Sequence, residues 1–240
     1  MDERIMLITY ADGLGGDLAA LRRTLDRYFR GAVGGVHILP FYPSSDDRGF
    51  APLGYDRVDP AFGTFADIEA IGKDHPLMFD FMVNHISSES VYYQDFLKRK
   101  GASPYRDYFI RYSDFWPGGK PTPGELAKIY KRKPRDPFVE AAFADGTKEK
   151  VWCTFGDRQI DLDVRKPATR AFIRETLTAM CGKGASLIRL DAFAYTVKKA
   201  GTSCFFVEPE VWELLGWLGT SWRLSAYRFC RKSTSTTPFR

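Results

Sequence analysis

Apolar positions along the chain fall into short compact blocks that alternate with amphipathic stretches. Ile5 to Tyr10 is one such block, whereas Leu18 to Phe29 sets Leu18, Leu21, Leu25, Tyr28 and Phe29 on one face at helical spacing. The pair predicts a strand followed by a helix. The same order recurs: Gly35 to Phe41, closed by Pro40 and Pro43, leads through a loop rich in Ser, Asp and Gly to a short helix over Phe65 to Ile71. Leu77 to Val83 is apolar on both faces apart from Asp80, the pattern of a strand covered on both sides. Two β-then-α units and a third strand predict an α/β architecture, a parallel sheet with helices outside it.

A helix over Ser88 to Lys98 follows, and then the rhythm breaks for about sixty residues rich in Gly, Pro, Trp, Tyr and Lys. A stretch of that length inside a compact domain is a lid or a small inserted domain. The pattern resumes with a helix over Pro167 to Cys181, a strand over Leu187 to Leu190 and a helix starting near Pro209. The expected organisation is residues 1–101 for three barrel strands, 102–163 for the insertion, 164–218 for the third helix, fourth strand and fourth helix, and 219–240 for a tail of different character.

Composition changes this picture only in part. With 44% hydrophobic residues the chain has material for one sizeable core, and no stretch is long and apolar enough to span a bilayer. Met1 is followed by Asp2, Glu3 and Arg4 rather than by a secretory leader, so a cytoplasmic location is expected. Cys153, Cys181, Cys204 and Cys230 show no paired spacing and read as free thiols. The net charge of +5 sits in the tail, in Arg223, Arg228, Arg231, Lys232 and Arg240, which leaves 30 basic against 30 acidic residues before it. The body of the chain is neutral, which removes the main argument for a nucleic-acid partner.

In a barrel of parallel strands, reacting groups stand at the C-terminal strand ends. Polar residues appear there: Asp47 after the second strand, Asn84 and His85 after the third, Arg189 and Asp191 at the fourth. Strand alternation places Arg189 and Asp191 on one side, where a guanidinium can hold a carboxylate ionised and aimed, as a covalent glycosidase nucleophile requires. A buried ion pair closing the strand end is the competing reading. His85 admits two readings as well, a packing residue or a neutral imidazole donating to a sugar hydroxyl.

These segments resemble the α-amylase superfamily. Asp80 to His85 is similar to its DxxxNH region, Gln159 to Asp163 to the segment closing its inserted domain, and Ile188 to Ala192 to its nucleophile strand. Longer stretches resemble the sucrose phosphorylase group within it: FYPSSDDRGFAPLGYDRVDPAFG, MFDFMVNHISSES, VWCTFGDRQIDLDV and KAGTSCFFVEP. The resemblance implies the N-terminal half of a (β/α)8 barrel, truncated, with an insertion after the third strand. It also implies a retaining transfer of glucose from sucrose to inorganic phosphate, with Asp191 as nucleophile. Asp47, His85 and Arg189 would hold the glucosyl unit, Phe50 would wall the sugar face, and Phe155, Gln159 and Tyr195 would line the acceptor side. A phosphate-contacting arginine in the inserted loop points to Arg132, Lys133 or Arg135, although a solvated charged face explains that run equally well. No metal or cofactor is implied, and oligomeric state is unreadable.

The family's general acid/base glutamate and its stabilising aspartate have no counterpart in these residues; Glu208 and Glu210 come too early, at the start of a helix. Codons permitted by Phe229 to Arg240 can, in a shifted frame, encode LPEIHEHYSIP, which resembles the family's fifth-strand segment. A frame slip near Leu218 to Thr220 is therefore expected, and the gene's nucleotide sequence decides it.

Overall fold

The structure is a computed structural model that describes residues 5–233, with side chains as far as Trp222. In chain order the first elements are β1 (Ile5–Thr9), α1 (Leu18–Tyr28), β2 (Val33–Ile38), α2 (Phe65–Gly72), β3 (Leu77–Met82), β4 (His85–Ser87) and α3 (Val91–Arg99). The short elements α4 (Tyr112–Phe115), α5 (Pro123–Lys128), β5 (Phe138–Ala142), β6 (Lys148–Trp152) and β7 (Gln159–Asp161) come next. The chain then forms α6 (Pro167–Gly182), β8 (Ala185–Asp191) and α7 (Glu210–Ser233).

Four strands make one parallel sheet in the order β1-β2-β3-β8, each followed along the chain by a helix. This is four βα units of a (β/α)8 barrel, as the alternation of apolar blocks and amphipathic stretches predicts. The two central strands are fully covered: Val36, Ile38, Phe79 and Phe81 have no solvent exposure, and Leu18 and Leu21 of α1 are equally buried. The edge strands differ. β1 leaves Ile5 76% and Ile8 62% exposed, and β8 is only half-buried along most of its length.

Helix starts follow local side-chain chemistry. Asp17 accepts from the Ala20 amide at 2.6 Å, Thr64 and Asp67 form a reciprocal capping box at α2, and Ser90 accepts from the Tyr93 amide at 3.3 Å. The third helix therefore begins at Val91 rather than at Ser88, because Ser90 serves as its cap. The segment between α3 and α6 is more ordered than its composition predicts. β5 and β6 form an antiparallel hairpin, β4 pairs antiparallel with β7, and Ile110, Phe115, Trp116, Ile129, Trp152 and Cys204 form a second apolar cluster.

The last helix departs most from expectation. α7 runs unbroken through Gly219, Thr220 and Ser221 to Ser233, instead of stopping at Leu218. Residues 234–240, and with them part of the segment assigned to a shifted frame, lie outside the described residues.

Candidate active site

Register brings the polar residues together. In the β3/β8 ladder Asp80 lies opposite Arg189 and Met82 opposite Asp191, so the arginine and the last residue of β8 share one face. Arg189 Nη2 stands 2.9 Å from Asp191 Oδ1, while its Nη1 donates to Asp80 Oδ1. The pairing expected from alternation is present. Its electrostatic effect is outweighed: burial raises the Asp191 carboxyl above the usual aspartate range, and Arg189 pulls it back only in part.

Above the third strand, His85 opens β4 and is buried. Burial lowers its pKa, so the imidazole is neutral, and its Nε2–H donates to the Phe50 carbonyl at 2.8 Å. The proton expected to meet a sugar hydroxyl is thus directed at the backbone here. The reason lies in the loop after β2, where Asp47 (φ 56°), Arg48 (φ 50°) and Gly49 (φ 102°) turn left-handed in succession and present the Phe50 carbonyl inward. Gln159 on β7 donates to the same carbonyl at 3.0 Å and to Asp47 Oδ2 at 3.3 Å. Asp47, Phe50, His85 and Gln159 therefore form one hydrogen-bonded group, and the Phe50 ring lies under the Arg189 guanidinium at 5.8 Å. A cavity of about 300 Å³ opens beside Asp47, bounded by Tyr10, Tyr42, Ser44 and Phe62.

Phe155 and Tyr195 continue the wall: the Phe155 ring centroid lies 5.4 Å from that of His85 and 5.0 Å from that of Tyr195. Ala192, directly after Asp191, adopts φ 55°, which turns the chain into the short helical turn carrying Tyr195. The three phosphate candidates separate. Arg135 is tied down by Asp157 at 2.5 Å and by Cys153 Sγ at 3.3 Å. Arg132 and Lys133 are exposed, and Arg132 lies close enough to Tyr195 to oppose the upward shift that burial imposes on its hydroxyl.

Several participants carry no signal in the sequence. Tyr130 reaches the site from the insertion, its ring 6.2 Å from Tyr195 and 4.7 Å from Phe205. Lys198 is fully buried, with its ammonium 2.6 Å from Asp161 Oδ2, 3.0 Å from Asn84 Oδ1 and 2.6 Å from the Tyr195 carbonyl. It joins the third-strand loop, the insertion and the turn after Asp191 at one charge. His37 on β2 donates from Nε2 to Asp80 Oδ2 at 2.7 Å. Spacing does not reveal these residues, because the side chains they meet, Asn84 and Asp161 for Lys198 and Asp80 for His37, lie far from them along the chain.

Residues 7–205 match the model of the alpha amylase catalytic domain. The chain belongs to the α-amylase family. It is 54% identical over 212 residues to a sucrose phosphorylase of Streptococcus mutans serotype c (strain ATCC 700610 / UA159), covering 88% of this chain and 44% of that protein. It is 45% identical over 221 residues to a sucrose 6(F)-phosphate phosphorylase of Thermoanaerobacterium thermosaccharolyticum, covering 90% and 45%. Among solved structures, sucrose 6F-phosphate phosphorylase from Thermoanaerobacter thermosaccharolyticum superposes with a TM-score of 0.90 at 43% identity, over 94% of this chain and 47% of that one. The chain spans about half the length of the curated relatives it matches. Among the described residues no helix is long and apolar enough to cross a membrane.

Proposed function

We propose that this chain holds the nucleophile and glucosyl-binding half of a sucrose phosphorylase site. The observation that carries the reading is the convergence of Asp191, Arg189, His85, Asp47 and Gln159 at the C-terminal ends of a parallel sheet. That sheet belongs to a chain 54% identical to a sucrose phosphorylase.

In the reaction, an Asp191 carboxylate oxygen attacks the anomeric carbon of sucrose while the bond to fructose breaks and a general acid protonates the leaving oxygen. The product is a β-glucosyl ester of Asp191. A phosphate oxygen then attacks the same carbon from the opposite face, expels the carboxylate and gives α-glucose 1-phosphate, so configuration is retained. Arg189 orients the nucleophile, and the group of Asp47, His85 and Gln159 fixes the sugar. Arg132 and Lys133 supply positive charge for the incoming dianion, since Arg135 is already paired with Asp157. Sucrose 6′-phosphate, glucosylglycerol and glucosylglycerate are the alternative donors; water in place of phosphate would make the enzyme an α-glucoside hydrolase; a non-catalytic sugar-binding fragment is the remaining alternative.

The resemblance assigns no general acid for fructose among the described residues, and a chain without one forgoes a contribution of about 10² to 10⁴ in rate. The 240-residue chain is therefore expected to show no useful turnover of sucrose. A full-length, in-frame version incubated with sucrose should release α-glucose 1-phosphate when phosphate is present, and D191N should abolish that release. Free glucose as the main product in the presence of phosphate would replace phosphorolysis with hydrolysis, and undiminished turnover by D191N would remove the assignment of the nucleophile.

A further inference from the structure

The interior of the sheet holds a line of four polar side chains across three neighbouring strands. His37 on β2 donates to Asp80 Oδ2 on β3 at 2.7 Å, Asp80 Oδ1 accepts from Arg189 Nη1 on β8, and Arg189 Nη2 reaches Asp191 Oδ1 at 2.9 Å. His37 is 4% and Asp80 0% exposed, so the inner end of the line is dry. The outer end is wetter: the Asp191 side chain retains 18% exposure and that of Arg189 44%.

A guanidinium facing a carboxylate with both oxygens available forms a two-bond, fork-to-fork pair. Asp80 is the more deeply buried of the two carboxylates that Arg189 meets, and charge attraction strengthens as the surroundings dry. Left alone, Arg189 would turn both nitrogens to Asp80 and release Asp191. Instead it meets the two carboxylates with one nitrogen each, while His37 holds the other oxygen of Asp80.

The geometry points to His37 as a positioning residue: by filling one oxygen of Asp80, it splits the Arg189 guanidinium and keeps half of it on Asp191. The inference rests on Asp191 being the nucleophile, but its test reads the carboxylate itself and not sugar transfer. The groups facing that carboxylate are Arg189 on its own strand, Asp80 and His85 from the third-strand region, and Tyr55 from the loop after β2. Changing His37 acts on two of them: Asp80 loses its donor directly, and Arg189 responds through Asp80.

The experiment is a pH titration of the Asp191 carboxyl carbon in the 240-residue chain labelled with carbon-13 aspartate. Magic-angle-spinning NMR of sedimented protein reads it, and the signal lost in D191N assigns it. In H37L the hydrogen bond is gone and the volume is kept, so the Asp191 midpoint should rise by about one unit as its cationic partner turns away. H37Q, whose terminal amide can still donate to Asp80, should titrate with the parent chain. Should H37L fail to fold by circular dichroism, H37N takes its place, because its shorter amide cannot span the distance. A midpoint unchanged in the variant without a donor overturns the proposal. So does an equal shift in H37Q, which would mark a packing role alone.

Discussion

His85 is neutral because it is buried, and that has a thermodynamic consequence. Its pKa is lowered in the folded chain, so as pH falls the unfolded chain takes up the additional proton first. The stability tied to this residue is complete above the unfolded value of about 6.5 and is lost as pH falls from there to the folded value. Asp191 acts in a more acidic window with the opposite sign: its raised pKa contributes stability that is lost as pH rises from about 3.9. Thermal unfolding between about pH 7 and pH 5.5 should therefore show a falling midpoint in the parent chain and a flatter profile in H85Q. Parallel profiles would mean that His85 does not carry this proton linkage. At this scale the sequence was legible where chemistry is local. Arg189 and Asp191 are two apart on one strand, so alternation alone brings them together. His37 and Asp80 are 43 residues apart, and their pairing depends on strand order, which no spacing reveals. Asp47, Phe50, His85 and Gln159 come together for a different reason, a left-handed turn that aims a backbone carbonyl.

Among elements, what could be read from the sequence follows the depth of burial. β2 and β3 stand out as apolar runs because both of their faces are covered, and α1 shows its stripe because one face is buried and the other wet. β5 and β6 were hidden because much of their surface faces solvent: Glu140, Lys148, Glu149 and Lys150 interrupt any apolar alternation. β4 and β7 are three residues each, too short to register as a period. Helix starts are governed by single side chains instead, and Ser90 gives the sharpest case. It is fully buried, and its hydroxyl accepts from the Tyr93 amide at the start of α3, the helix that leads into the insertion. Ser90→Ala should cost about 1 kcal/mol in urea unfolding, as loss of a cap does, with the slope of the transition unchanged. Ser90→Thr, which keeps a hydroxyl at the same position, should recover part of that loss, and an S90A transition identical to the parent's would show that the cap contributes nothing.

At the scale of the molecule, the parallel sheet ends at β1 and β8, and neither has a further strand beside it among the described residues. β1 presents Ile5 and Ile8 at one edge, and the half-buried β8 forms the other. Beside β8, Leu177, Leu187, Ile188, Leu190, Leu215 and Trp222 line an apolar groove of about 210 Å³ between α6, α7 and the sheet. Open strand edges backed by apolar surface recruit other strands, and a closed barrel is the arrangement that removes them. The same exposure explains why β8 is half-buried while β2 and β3, of similar composition, are fully buried: burial here is set by neighbours and not by the strand's own residues. The chain should therefore self-associate at micromolar concentrations, giving species larger than a monomer whose proportion grows with loading in sedimentation velocity. Placing a charge on the exposed β1 edge, Ile8→Lys, should shift that distribution toward monomer, because a lysine on an edge strand opposes pairing and the side chain it replaces is 62% exposed. A parent chain that sediments as a monomer across that range would mean that its own loops or helices already cover both edges.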